Sequence, residues 1–238
     1  MEKISHLEKD PQHSVDGFVK SKLPRRSFLQ FAGAGMATVA LVAVGCKKEI
    51  VSNTTLADGV DLGSGDVGIL NYAYALEQLE AAFYLMVVAK IYSGATPGEI
   101  VYFNDIAKHE VVHREFFKNA LGTNAIQDLE VDFSSIDFTS RTSVLATAKA
   151  FEDLGVSAYN GAGALIESAD YLLLAGKIVS VEARHAAAIR DLISNGSFAN
   201  SEVIDANGLD VSRTPLQVLA IAGTYIKTKI NASNLPTS

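Results

Sequence analysis

Two four-residue stretches share the pattern Glu-x-x-His: Glu110-Val111-Val112-His113 and Glu182-Ala183-Arg184-His185. Three residues apart on a helix, a carboxylate and an imidazole lie one above the other. Each pair shares its face with apolar residues, Ile106 and Phe117 in the first and Ile178 and Ile189 in the second. The polar groups therefore point where apolar side chains point. A carboxylate in such a stripe needs a partner to offset its desolvation. A divalent cation is one, and it accepts oxygen and imidazole nitrogen together.

Two further segments place a carboxylate seven residues ahead of a tyrosine: Glu77 with Tyr84, and Glu152 with Tyr159. Seven residues make two helical turns, so each Tyr lies on the face of its Glu. Along the chain the order is Glu…Tyr, Glu-x-x-His, Glu…Tyr, Glu-x-x-His, which reads as an internal duplication. The candidate metal ligands are Glu77, Glu110, His113, Glu152, Glu182 and His185. Four carboxylates balance the charge of two divalent ions; without metal they repel one another and some take up protons. Tyr84 and Tyr159 are the candidate catalytic residues, by bonding to ligands or passing electrons. The alternative for both is packing with a satisfied hydroxyl.

Glu80, one turn beyond Glu77, competes for the first ligand position. Height favours Glu80, which would stand level with Glu110 across the turn at Gly94–Pro97, whereas Glu77 is about one turn, roughly 5 Å, off level. The repeated tyrosine spacing favours Glu77, and Glu77 is preferred. His109 sits about 100° round the helix from Glu110 and reads as a flank or surface residue. Asp153 faces away from the Glu152 stripe, and Glu115 and Glu167 read as solvated charges.

These residues must be held by long helices. Asp66 is a candidate cap for a first helix reaching about Ser93, stopped by Gly94. Pro97 opens a second, running to Leu121 with Gly122 behind it. A third starts at Ser140 or Thr142 and reaches about Ile166; Ser168 or Asp170 caps a fourth that ends at Asn195-Gly196. Thr214-Pro215 opens a short fifth helix to about Lys227. The stretch from Thr123 to Thr139 has no clear period and is long enough to span the bundle lengthwise. Glu152 lies about 15 residues before the turn between helices three and four and Glu182 about 14 after it, so antiparallel helices bring them level. The expected fold class is all-α: a four-helix bundle with one long crossover and a short fifth C-terminal helix, with strand content near zero. The runner-up is a plain up-down bundle.

Ahead of this domain the chain changes character. Pro24-Arg25-Arg26-Ser27-Phe28-Leu29-Gln30 precedes an apolar run from Phe31 to Val44 and then Gly45-Cys46. Residues 1–45 read as an export signal, and Arg25 and Arg26 with Ser27-Phe28-Leu29 resemble a twin-arginine signal. A membrane anchor is the alternative, though the run is barely long enough to span and is interrupted by Gln30, Gly33 and Gly35. Cys46 is the only cysteine. It excludes an intrachain disulfide and any multi-thiolate site, and Ala43-Val44-Gly45-Cys46 resembles a lipobox, which implies lipidation at Cys46. The alternative is cleavage nearby, leaving a free thiol. Residues 46–65 read as a tether, 66–229 as the domain and 230–238 as a tail. The expected localisation is exported, in the periplasm or anchored in a bacterial cell envelope. Loss of residues 1–45 removes six Lys/Arg and four Asp/Glu, taking the net charge from −7 to −9. So acidic a body argues against nucleic acid as a partner, because phosphates require a basic face.

The segments Leu76-Glu77-Gln78-Leu79-Glu80-Ala81-Ala82-Phe83-Tyr84 and Val181-Glu182-Ala183-Arg184-His185-Ala186-Ala187 resemble the ferritin-like domain family that includes plant desiccation-related proteins and exported bacterial relatives. The likeness covers about residues 66–229 and is shared more distantly with rubrerythrins, bacterioferritins and manganese catalases. It implies the four-helix fold and a centre of two divalent ions, Fe or Mn. The expected function is a cell-envelope di-metal protein handling peroxide, oxygen or the metal itself, with catalase-, peroxidase- or ferroxidase-like chemistry. The alternatives are a sequestering or stress-protective protein without turnover and a metal-free helical scaffold. No rubredoxin-like cysteine cluster is present, so any electron donor is another protein; the membrane is reached through Cys46.

Overall fold

The computed structural model describes residues 58–237. The export signal of residues 1–45, Arg25, Arg26, Cys46 and most of the tether lie outside the described residues. Within them stand α1 (Gly65–Ala89), α2 (Pro97–Leu121), α3 (Arg141–Gly163), α4 (Ala169–Ile193) and α5 (Pro215–Ala222). Two two-residue strands, β1 (Val60–Asp61) and β2 (Ile230–Asn231), pair in parallel. The expected all-α bundle is what forms.

The helix starts follow local chemistry. At α2 the Thr96 side chain accepts from the Glu99 amide, and the Glu99 carboxylate takes the Thr96 amide, with Pro97 at the first position; this reciprocal cap satisfies two otherwise free donors. Ser140, Ser168 and Thr214 cap α3, α4 and α5. Asp66 does not cap α1. Ser64 is the N-cap, and the Asp66 carboxylate instead accepts the amides of Glu167 and Ser168 at 2.8 and 2.9 Å, pinning the turn between α3 and α4. Helix ends are less faithful to the sequence pattern: α1 stops at Ala89 rather than Ser93, α3 at Gly163 rather than Ile166, and α5 at Ala222. Each end gives way to a turn whose side chains still pack, such as Tyr92, which is 3 % exposed, so apolar character outlasts the helix.

Residues 122–140 cross the bundle lengthwise. The buried Asn71 side chain donates to the Asn124 carbonyl and accepts from the Ile126 amide, each at 2.9 Å; one helical stretch later Gln78 accepts from the Leu129 amide at 2.7 Å. Phe83 then meets Phe133, and Arg141 reaches Glu99 at 2.6 Å, at the start of α2. The connection thus climbs α1 and delivers α3 beside the first turn of α2. With this cover on its outer side, α1 is buried at every residue from Gly68 to Ala81, which is why it is apolar nearly all round. Phe83, Phe133, Phe138, Phe151 and Tyr225 form one aromatic cluster that ties the crossover to α1, α3 and the segment after α5. Each fully buried ring contributes about 1.5–3 kcal/mol by transfer from water.

The termini of the described chain are docked rather than loose. The stretch read as tether ends in β1, and the stretch read as tail begins in β2 and buries Leu235. The loop after α4 returns over α3, where Arg190, itself 3 % exposed, holds Asp153 in a two-pronged pair and also reaches Asn200 and Glu202. Close approach there requires Gly161: a Cβ would fall 1.8 Å from the Arg213 carbonyl oxygen.

Candidate metal centre

Four helices each contribute from their middles. Counted from the observed ends, Glu77 stands 12 residues before Ala89 and Glu110 stands 13 after Pro97. They are therefore level. The height that favoured Glu80 arose from running α1 on to Ser93; with the true end, tyrosine spacing and height agree on Glu77.

The six ligand candidates converge in two quartets. One is Glu77, Glu110, His113 and Glu182; the other is Glu110, Glu152, Glu182 and His185; in each, the donor atoms lie within 4.8 Å of one another. Two donors on opposite sides of a single ion at about 2.1 Å stand about 4.2 Å apart, so each quartet has the dimensions of one ion's surroundings. His113 Nδ1 lies 3.5 Å from Glu77 Oε2, 3.7 Å from Glu110 Oε2 and 2.8 Å from Glu182 Oε1. His185 Nδ1 lies 2.8 Å from Glu110 Oε1, 3.5 Å from Glu152 Oε2 and 3.4 Å from Glu182 Oε2. Glu110 and Glu182 thus give one oxygen to each quartet and bridge them.

Orientation separates this cluster from an ordinary ion-pair network. All four carboxylates are 0 % exposed. Yet Glu77 Oε2, both oxygens of Glu110, His113 Nδ1, Glu152 Oε2, both oxygens of Glu182 and His185 Nδ1 make no hydrogen bond of acceptable angle, although several sit within 3 Å of one another. Buried polar atoms are nearly always satisfied. Eight that are not, divided four and four, are aimed past each other at two common points, as ligands are. The donor set, oxygen with imidazole nitrogen, could hold a divalent metal ion.

The tyrosines cross between the repeats. Tyr84 donates to Glu152 Oε1 and Tyr159 donates to Glu77 Oε1. Each hydroxyl occupies the carboxylate oxygen that the quartet does not use and leaves the other free. Burial first, then the neighbouring carboxylates, raise both phenols well above the usual tyrosine range, so they stay protonated and donate. Replacing Tyr84 by Phe is expected to leave the bundle folded and to weaken metal binding by about 10–100-fold, the usual cost of losing a partner that orients a ligand. Calorimetric titration with Mn2+ checks this, and unchanged affinity would make Tyr84 a packing residue.

In the metal-free protein the groups lean on each other. Burial raises Glu77 well above the ordinary carboxylate range, and the charges of Glu182 and Glu110 add to it. Burial likewise pushes Glu152 up to about 8. For Glu110 burial acts upward but is outweighed by His113 and His185, which hold it at about 2. For the two histidines burial acts downward and is overcome by the carboxylates facing them, chiefly Glu110 and Glu182 or Glu152, which raise both to about 12.

Two residues acquire places that spacing could not assign. His109 is exposed, as its position on the helix suggested, but its Nδ1 lies 2.9 Å from Nε2 of His185, on the side of that ring away from the carboxylates. Burial and the neighbouring His185 lower its pKa, and in the tautomer protonated on Nε2 its Nδ1 accepts from Nε2–H of His185. The only advance signal was its position next to a ligand. Glu80 lies outside both quartets. Its carboxylate rests over Gly155, where a Cβ would come 3.0 Å from Oε1, beside Leu76, Leu79, Phe151 and Leu154. The offset that relates Glu77 to Glu152 relates Glu80 to Gly155, so the missing side chain in one repeat makes room for the extra carboxylate of the other. Burial, then the charges of Glu110 and Glu182, raise Glu80 well above the carboxylate range. Asp153 turns away from the centre to Arg190, as expected.

Compared with known families, residues 65–195 match the model described as a ferritin-like domain. No curated protein matches the chain.

Proposed function

Since the chain belongs to the ferritin-like domain family, we propose that it is a cell-envelope protein that holds a di-iron or di-manganese carboxylate centre and uses it to handle peroxide, oxygen or the metal itself. The observation that supports this above all is the division of eight unbonded, buried donor atoms into two quartets sharing Glu110 and Glu182. Two ions of Fe or Mn supply a pair of one-electron couples side by side, suited to two-electron chemistry on a small oxygen species.

The chain's own residues do the rest. Glu110 and Glu182 hold the two positions at a fixed separation, and Glu77 and Glu152 close the outer sides. Tyr84 and Tyr159 fix those carboxylates by their hydroxyl groups and keep their protons. The sheath of Leu79, Phe103, Ile106, Phe117 and Ile189, each under 5 % exposed, excludes bulk water and strengthens every electrostatic contact inside. Export under Arg25 and Arg26, and attachment through Cys46, place this chemistry in the envelope. The electron donor in this reading is a separate protein.

A second reading has one observation in its favour. The carboxylates are fully buried, which suits holding ions more than turning over a substrate, so sequestration or stress protection without turnover is the alternative. Elemental analysis of natively purified protein tests the common premise: two Fe or Mn ions per chain are expected, and none would leave a metal-free scaffold. Peroxide consumption by the loaded protein, abolished in Glu110→Ala, supports turnover. Equal rates in the two proteins remove the enzymatic reading.

A further inference from the structure

The duplication makes the two quartets look interchangeable. Residues 77, 84, 110 and 113 correspond in order to 152, 159, 182 and 185, and the hydrogen bonds and close contacts are exchanged in the same order. One contact is not exchanged. The position before Glu110 holds His109, whereas the position before Glu182 holds Val181. His109 Nδ1 meets His185 Nε2 at 2.9 Å. The two rings are parallel within 7° with centroids 5.2 Å apart. Stacked faces would keep the rings about 3.5 Å apart, farther than the nitrogens are, so the rings lie edge to edge in nearly one plane. That is good hydrogen-bond alignment. Among the described residues His113 has no partner on its corresponding edge, and its side chain is 11 % exposed against 5 % for His185.

We propose that the two metal positions are inequivalent, and that His109 is the positioning residue that makes the His185–Glu152 position the tighter one, filled first. The proposal rests on the di-metal reading above and adds an order of binding to it. A ring that binds metal through Nδ1 carries its proton on Nε2. His109 accepts that proton's hydrogen bond, which keeps the proton on Nε2 when Nδ1 gives its own up to the ion, fixes the ring plane beforehand and raises the basicity of Nδ1. Solvent can satisfy the same atom of His113 but does not orient the ring. Outer partners of this kind are worth about 10–100-fold in affinity.

Titration of the metal-stripped full-length protein with Co2+, followed by calorimetry and by visible absorption, tests this without reference to catalysis. The expected isotherm has two steps separated by about 10–100-fold. In His109→Leu the tighter step weakens until the two merge, with the final stoichiometry still two. In His109→Gln, whose amide oxygen can accept from Nε2–H, the separation is partly restored. His185→Ala removes the tight step, and His113→Ala removes the weak one. Two equal steps in the wild-type protein would overturn the proposal, as would His109→Leu titrating like wild type, or loss of the tight step in His113→Ala. Wild-type protein that binds no Co2+ overturns the di-metal reading and the binding order with it, whereas two ions bound in equal steps overturn only the order.

Discussion

Glu110→Gln is expected to reduce bound metal from two ions per chain to less than one, with an affinity loss of at least about 100-fold, beyond what loss of an orienting partner alone costs. The reason is the bridging geometry. Glu110 Oε1 belongs to the His185 quartet and Oε2 to the His113 quartet, and neither is engaged elsewhere. The amide keeps the shape, removes a negative charge and turns one donor atom into an N–H group that cannot ligate. Both positions therefore suffer from one substitution, whereas Glu77→Gln or Glu152→Gln should weaken mainly one. The amide keeps the packing, so the fold should survive, though the metal-free form loses the stability that His113 and His185 give the Glu110 carboxylate. Elemental analysis and thermal melts of Glu110→Gln and of the exposed control Glu115→Gln check this. Two tightly held ions in Glu110→Gln would refute the bridging role.

Removing metal is expected to have the second large effect, and its size should depend on pH. An ion present at about 100 times its Kd stabilises the folded state by about 2.7 kcal/mol, which for a domain of this size is about 5–10 °C in Tm. The sign of the pH dependence follows from the groups involved. Glu77, Glu80 and Glu152 are raised in the metal-free fold, Glu152 to about 8, and His113 and His185 are raised to about 12. A raised group stabilises fully below its unfolded pKa and loses that contribution as pH climbs through its folded pKa. All five therefore act in one direction: the metal-free protein weakens from about pH 5 upward. Glu110 and Glu99, each held at about 2, act oppositely, and their contribution is lost as pH falls from 4.5 towards 2. Metal replaces the protons of the four raised groups in the quartets, Glu77, Glu152, His113 and His185, so its binding tightens as pH rises. Melts with EDTA and with Mn2+ at about pH 6 and about pH 8.5 should show a gap in Tm that widens at the higher pH. A gap that stays constant or narrows would mean that these groups do not take the ions.

The candidate site was legible because it is built from helix periodicity and a repeat. Glu110 and His113 share a face whatever surrounds them, and so do Glu182 and His185. The level of Glu77 was less legible, because it depended on where α1 stops, and Tyr92 keeps the apolar pattern going after the helix has ended. Asp66 had the residue type and position of a cap, but its carboxylate serves the amides of residues 167 and 168 instead. That choice is made by a turn about 100 residues away, which local pattern does not contain.

By itself the sequence determined four long helices, their order, a connection long enough to cross between the pairs and the six side chains facing inward, because caps, prolines and the 3.6-residue period act over a few residues. Tertiary structure alone decided which atoms meet. It paired each tyrosine with the glutamate of the other repeat, placed Glu80 in the space of Gly155, and brought His109 to the back of His185. These are contacts between residues 68 to 82 positions apart or, for Glu80 and Gly155, 75. They depend on how the helices rotate and slide against one another, and that is fixed by the packing of the whole core rather than by any single stretch of it.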